Sequence, residues 1–203
     1  MQFNRHDMLF LYNAPLLELS DMPFIPAIVK MQENSQENFN KDLLEVGFSL
    51  PQHQDGSRIR LKAVISTDNI QKVVTPYEVL PLYHRLDEIK HVQIRDTLKD
   101  IISTDIQGIG VYGSCALEIL TSQPYLTSKS DIDICIKLPG NYDAFYTKAK
   151  EISKRHDVHI DIEAILPDGF GVKLEELMGS TNKTVLCKGL YGIELRYKED
   201  LFM

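Results

Sequence analysis

Two patterns of apolar and polar positions divide this 203-residue chain. Up to about residue 80 the apolar runs are short and are broken by Pro, Gly and Asp. Residues 8–12 and 24–31 read as strands, and residues 31–42, rich in Asn, Gln and Glu, read as a solvated loop. The stretch VGFSLP at 46–51 reads as a short strand that stops at Pro51. Asp55-Gly56 is a hairpin signal, and residues 58–65 alternate charged and apolar side chains, as a half-buried strand does. Arg58, Arg60 and Lys62 share one face of it, which is either a solvated face or a wall turned toward an anion.

Beyond Pro76 and Pro81 the spacing changes. Apolar residues at 86, 89, 94, 98, 101 and 102 recur three and four apart, which predicts a helix over 85–102. Residues 109–112 form a short apolar strand, and 115–121 suit a helix. SDIDICIK at 130–137 is a strand opened by two carboxylates. Residues 141–155 read as a helix with Phe145, Ala149 and Ile152 on one face. Residues 158–165 alternate, with His159, Asp161 and Glu163 on one face and Val158, Ile160 and Ile162 on the other. Residues 172–178 suit a short helix, and 184–188 with 193–197 read as a terminal hairpin. The expected class is α+β: a smaller β-rich domain over 1–80, then a mixed sheet flanked by helices over 81–203.

Composition bounds the class of function. Hydrophobic residues make up 43% and charged residues 25%, the balance of a globular protein. No apolar run is long enough to span a bilayer and the start is too polar for a secretory signal, so the expectation is a cytoplasmic protein with no membrane partner. Three separated cysteines at 115, 135 and 187 give neither a disulfide framework nor a zinc site. They read as small buried thiols. The net charge of -7 argues against a nucleic-acid partner, so positive charge for an anionic ligand must be local.

Gly108, Gly110 and Gly113 spell the dinucleotide fingerprint G-x-G-x-x-G, with an acid about 20 residues on. That fingerprint needs a buried strand before its first glycine, whereas residues 95–107 are polar and helix-like. A dinucleotide-binding oxidoreductase or regulatory module is therefore the lesser alternative. A strand ending at Gly113 with Ser114 as the N-cap of a helix explains more of the letters, because a helix N-terminus offers N–H groups to phosphate. Asp131 and Asp133, two apart on a strand, point to one face. Crowded carboxylates call for a cation, and Mg²⁺ suits oxygen ligands shared with a phosphate chain. Asp161 adds a third carboxylate from another strand, with Glu163 on the same face. This is a set for phosphoryl or nucleotidyl transfer.

The order Gly-Ser, helix, Asp-x-Asp strand, helix, acidic strand resembles the nucleotidyltransferase superfamily. The sixteen residues between Ser114 and Asp131 exceed that superfamily's usual gap. The text around it narrows the resemblance: YGSCA at 112–116, PYL at 124–126 and SDIDI at 130–134. So do RHDML at 5–9, GSRIR at 56–60, PDGFGV at 167–172 and KTVLCK at 183–188. Together these are similar to the phosphoribosyl-dephospho-CoA transferases of malonate decarboxylase, its holo-acyl-carrier-protein synthases. Cys115, Glu118 and Ile162 depart from that pattern.

The resemblance implies transfer of triphosphoribosyl-dephospho-CoA to a serine of the apo acyl carrier subunit, with release of pyrophosphate. A transferase with another acceptor is the alternative. On this reading Asp131 and Asp133 hold Mg²⁺, and Asp161 or Glu163 completes the metal site or polarises the serine hydroxyl. Gly113 and Ser114 hold phosphate through N–H groups, and Lys129, Lys183 and Lys188 are candidates for phosphate charge. His156 and His159 are either bases or surface side chains.

Overall fold

A computed structural model describes residues 2–13, 25–32, 42–54, 57–104, 106–138, 140–179 and 181–202. Most of the loop expected over 31–42, and the Asp55-Gly56 turn, lie outside the described residues. The chain is α+β, with one sheet in its N-terminal part and a second sheet carrying the helices.

The first sheet contains β1 (Met8–Leu11), β2 (Ala27–Val29), β3 (Leu43–Gln54), β4 (Ser57–Ser66) and β5 (Ile70–Val74), in the order β4-β3-β2-β1-β5. All its pairings are antiparallel. β1 is apolar throughout because it is covered on both faces. Leu9 and Leu11 pack with Ala27, Val29, Val46 and Phe48, whereas Met8 joins the core of the second sheet. β3 does not stop at Pro51. It continues to Gln54 through a register shift between Ser49 and His53, beyond the stretch that pairs with β2. A proline is tolerated there because no regular ladder needs its missing N–H.

The second sheet contains β6 (Ile109–Tyr112), β7 (Ile132–Lys137), β8 (Ile160–Ile165), β9 (Gly171–Lys173), β10 (Thr184–Lys188) and β11 (Ile193–Tyr197), in the order β11-β10-β9-β8-β7-β6. Only β7 and β8 run parallel. Their inner face, with Ile132, Ile134, Ile136, Ile162 and Ala164, is buried beneath α1 (Val92–Ile102) and α3 (Tyr142–His156). Leu98, Ile101, Phe145, Ala149 and Ile152 supply the helical side of that core. Each fully buried aliphatic or aromatic side chain contributes about 1.5–3 kcal/mol of apolar transfer.

The helix expected over 85–102 is two pieces. A 3-10 stretch, Leu80–Glu88, precedes α1, with Ile89 in an extended conformation between them. His91 begins α1 without being helical, and its ring donates to the Leu126 carbonyl at 3.1 Å, a tertiary contact that the periodicity does not encode. The helix expected over 172–178 is also displaced. Residues 171–173 are strand β9, and α4 (Leu174–Gly179) follows. The terminal hairpin forms with Thr184 opposite Tyr197 and Lys188 opposite Ile193. No helix among the described residues is long and apolar enough to cross a membrane.

Candidate functional site

One face of the second sheet carries Asp133, Asp161 and Glu163. β6 ends at Tyr112, and α2 (Gly113–Thr121) begins at once. Ser114 is not the N-cap. Tyr112 holds that position in extended conformation, and Ser114 lies inside the first helical turn. Gly113 makes the corner possible. Its φ of +64° favours glycine, and a Cβ there would meet Asp133 Oδ2 at 2.0 Å. The Asp133 carboxylate therefore lies against the start of α2. The helix returns the chain into β7, which runs antiparallel to β6. A dinucleotide fold needs parallel strands on either side of that helix, so the glycine pattern is not such a fingerprint.

Asp133 faces Tyr112 on one side and Asp161 on the other, as direct cross-strand partners. Asp131 precedes β7 and is exposed. Burial, then Asp131, then Asp161 push the Asp133 carboxyl up to about 7, against the pull of Lys173 and Arg58. Three carboxylates thus gather at the starts of β7 and β8, with too little positive charge to offset them. Lys173 offsets part of it, with Nζ 3.0 Å from Asp161 Oδ2 and 3.3 Å from Oδ1.

The hard oxygen donors and the surplus negative charge fit a divalent cation. Among the described residues no three acidic, histidine or cysteine side chains converge as a ready cage. Mg²⁺ takes one or two carboxylates together with substrate phosphates, so its chemistry does not require such a cage.

Glu163 shares the sheet face but lies in a different environment. It pairs across from Cys135 and is 7% exposed. Arg5 Nη1 donates to its Oε1 at 2.9 Å, and the His6 ring lies 2.5 Å from Oε2. Burial raises its pKa, but His6 and Arg5 outweigh burial and hold it below the usual carboxylate range. The His6 ring also stacks on Tyr112, centroids 4.0 Å apart. Of the two acids on β8, Asp161 is therefore the one beside Asp133. Glu163 fastens the N-terminal Arg5-His6 segment to the sheet.

The lysines divide. Lys129 is exposed in the turn leading to Asp131. Lys188 is exposed at the far end of the ladder, level with Gly171 and Ile165, and Asp161 lies roughly 13 Å along β8 from that level. Lys183 is exposed just before β10, and β9 stands between β10 and β8. His159 is exposed at the head of β8, while His156 closes α3 on Asp100 at 2.9 Å.

Two further basic residues act on the carboxylates, and both lower the Asp133 pKa. Lys173 was hidden because residues 172–178 suit a helix. Pairing the chain back from the Asp168-Gly169 turn would have put it on the face of Asp161. Arg58 comes from β4 of the first sheet, and Nη1 donates to Ser114 Oγ at 2.5 Å. Of the two readings of the Arg58, Arg60 and Lys62 face, Arg58 turns inward to α2 and Arg60 stays exposed. The three cysteines are buried and free, and burial raises each thiol pKa.

Residues 82–199 match the C-terminal domain of the phosphoribosyl-dephospho-CoA transferase MdcG. The chain belongs to the MdcG family. No curated protein and no solved structure gives a significant match. Membership of the MdcG family makes the protein a transferase that acts with a dephospho-CoA-derived substrate. The matched segment holds Gly113, Ser114, Asp131, Asp133, Asp161 and Lys173, and leaves Arg5, His6 and Arg58 outside.

Proposed function

We propose that this MdcG-family protein attaches the phosphoribosyl-dephospho-CoA group of a triphosphate precursor to a serine of the malonate decarboxylase acyl carrier subunit. The observation that carries this reading is the Asp133 carboxyl. It is wedged against the start of α2 and pushed up to about 7 by burial and by Asp131 and Asp161. A carboxylate edge beside a helix N-terminus is suited to a metal-bound phosphate chain.

The serine hydroxyl oxygen attacks the phosphorus nearest the ribose, a new P–O bond forms, and the P–O bond to the outer two phosphates breaks. Pyrophosphate leaves with those electrons. The serine proton passes to a carboxylate oxygen, on this reading that of Asp161, a reading supported by its standing beside Asp133 across the parallel ladder. Asp131 and Asp133 would hold Mg²⁺, with Asp161 completing the set. Bound there, Mg²⁺ would neutralise phosphate charge and help align the leaving group. N–H groups of Gly113 and Ser114 would receive phosphate oxygens. Lys129 would supply further charge from the turn before Asp131, with Lys183 and Lys188 more remote.

The test is incubation of the full chain with the apo carrier subunit, the triphosphate precursor and Mg²⁺. Intact mass of the carrier should rise by one phosphoribosyl-dephospho-CoA group with one pyrophosphate released per group. An unchanged carrier mass with active precursor present would refute the assignment.

A further inference from the structure

We infer that Arg58 is a phosphate-binding residue of the transferase site, delivered to it by the N-terminal sheet. The inference rests on the phosphate-chain reading proposed above. Arg58 lies on β4, outside the segment that matches the family.

Its side chain crosses to the second sheet. Nη1 donates to Ser114 Oγ at 2.5 Å, and Nη2 donates to the Tyr125 carbonyl. The guanidinium lies 5.6 Å from the centre of the Tyr125 ring. Nε is buried and has no hydrogen-bond partner among the described residues.

Charge argues against a purely structural staple. Ser114 is in the first turn of α2, where the helix presents its positive end. A cation there has the wrong sign for the helix dipole. Burial and neighbouring Arg60 both disfavour the charge further, while Asp131 and Asp133 favour it. A neutral side chain could tie Ser114 to β4 without that cost. A phosphate chain lying against both the first turn of α2 and Arg58 would reconcile the two positive elements, since each alone attracts an anion.

The Ser114 hydroxyl fits the same arrangement. It accepts from Arg58, which leaves its own proton available to a phosphate oxygen. Arginine also offers a planar fork that matches phosphate oxygens, which lysine does not. The C-terminal domain would then hold the metal-binding carboxylates, and the N-terminal sheet would supply a charge that the leaving pyrophosphate needs.

The test is calorimetric titration of inorganic tripolyphosphate, with Mg²⁺, into the full chain and its Arg58→Ala, Arg58→Gln and Arg58→Lys variants, with thermal melting in parallel. Arg58→Ala and Arg58→Gln should lose roughly tenfold or more in affinity, the scale of a charge-assisted hydrogen bond. Arg58→Lys should lose less, and added guanidinium should recover part of the Arg58→Ala loss. If Arg58→Ala fails to fold, the Gln and Lys variants decide between charge and packing. Wild-type affinity in a folded Arg58→Gln variant would overturn this inference alone. Absence of tripolyphosphate binding to the wild type would overturn the phosphate-chain reading, and this inference with it.

Discussion

Two acidic side chains on one sheet face, Asp133 on β7 and Glu163 on β8, are held in opposite ways. Burial acts on both, and it raises both. Asp133 has Asp131 and Asp161 for neighbours, so its carboxyl is pushed up to about 7. Glu163 has His6 at 2.5 Å and Arg5 at 2.9 Å, and it ends below its ordinary value. Burial raises a satisfied carboxylate and an unsatisfied one alike, and the charged partners set the direction in which each ends. Glu163 stabilises the docking of the first sheet. Asp133 is the place where the fold tolerates surplus charge, as a site awaiting a cation and a phosphate would.

Asp133→Asn should separate the two roles most sharply. Transfer should fall by about 1,000-fold or more, as when a transition-state group is removed. Urea unfolding should show stability equal to wild type or higher, because carboxylate repulsion is relieved. Glu163→Gln should do the reverse. It leaves Arg5 and His6 without their counter-charge and should cost about 2–3 kcal/mol in the same unfolding experiment. Transfer per folded molecule should fall far less than in Asp133→Asn.

Gly113→Ala should affect both properties. The Cβ meets Asp133 Oδ2 at 2.0 Å on a backbone of φ +64°. A loss of about 1–3 kcal/mol is expected from the backbone alone, with activity lowered by the displaced carboxylate. Thermal melting and the transfer assay read the two effects separately.

The pH dependence should have opposite slopes at the two sites. Glu163 has a lowered folded-state pKa, so its contribution is present above the unfolded value, near 4.3, and fades as pH falls through the folded value. Asp133 has a raised folded-state pKa. It opposes folding increasingly from its unfolded value, near 3.9, up to about 7, and levels off above that. The stability advantage of Asp133→Asn over wild type should therefore grow from pH 4 to pH 7. The deficit of Glu163→Gln should shrink as pH falls below the unfolded glutamate value. Unfolding midpoints measured across pH 3 to 8 check both slopes. The smallest effect belongs to Lys173→Met, which removes a half-exposed ion pair to Asp161 worth under about 1 kcal/mol.

Sequence patterning made much of this legible. The alternation over 158–165 put Asp161 and Glu163 on one face, and the Asp-x-Asp spacing put Asp131 and Asp133 toward one side. The corner at Gly113 was also readable, because a strand former run meets a helix there. What the patterning left open depends on contacts distant in the chain. Glu163 and Asp161 look equivalent until Arg5 and His6 arrive from more than 150 residues away. Ser114 is a natural N-cap by residue type, yet Arg58 takes its hydroxyl and Tyr112 takes the cap position. Lys173 disappeared because a three-residue strand, β9, is too short to register against the helical spacing that follows it. Pro51 suggested a strand end, but a local register shift absorbs it.

Asp133, and not Glu163, should carry the chemistry. Intact-mass analysis of the carrier subunit after incubation with equal folded amounts of wild type, Asp133→Asn and Glu163→Gln tests it most directly. The expected result is a modified carrier with wild type and Glu163→Gln, and an unmodified one with Asp133→Asn. A fully modified carrier in the Asp133→Asn reaction would contradict it.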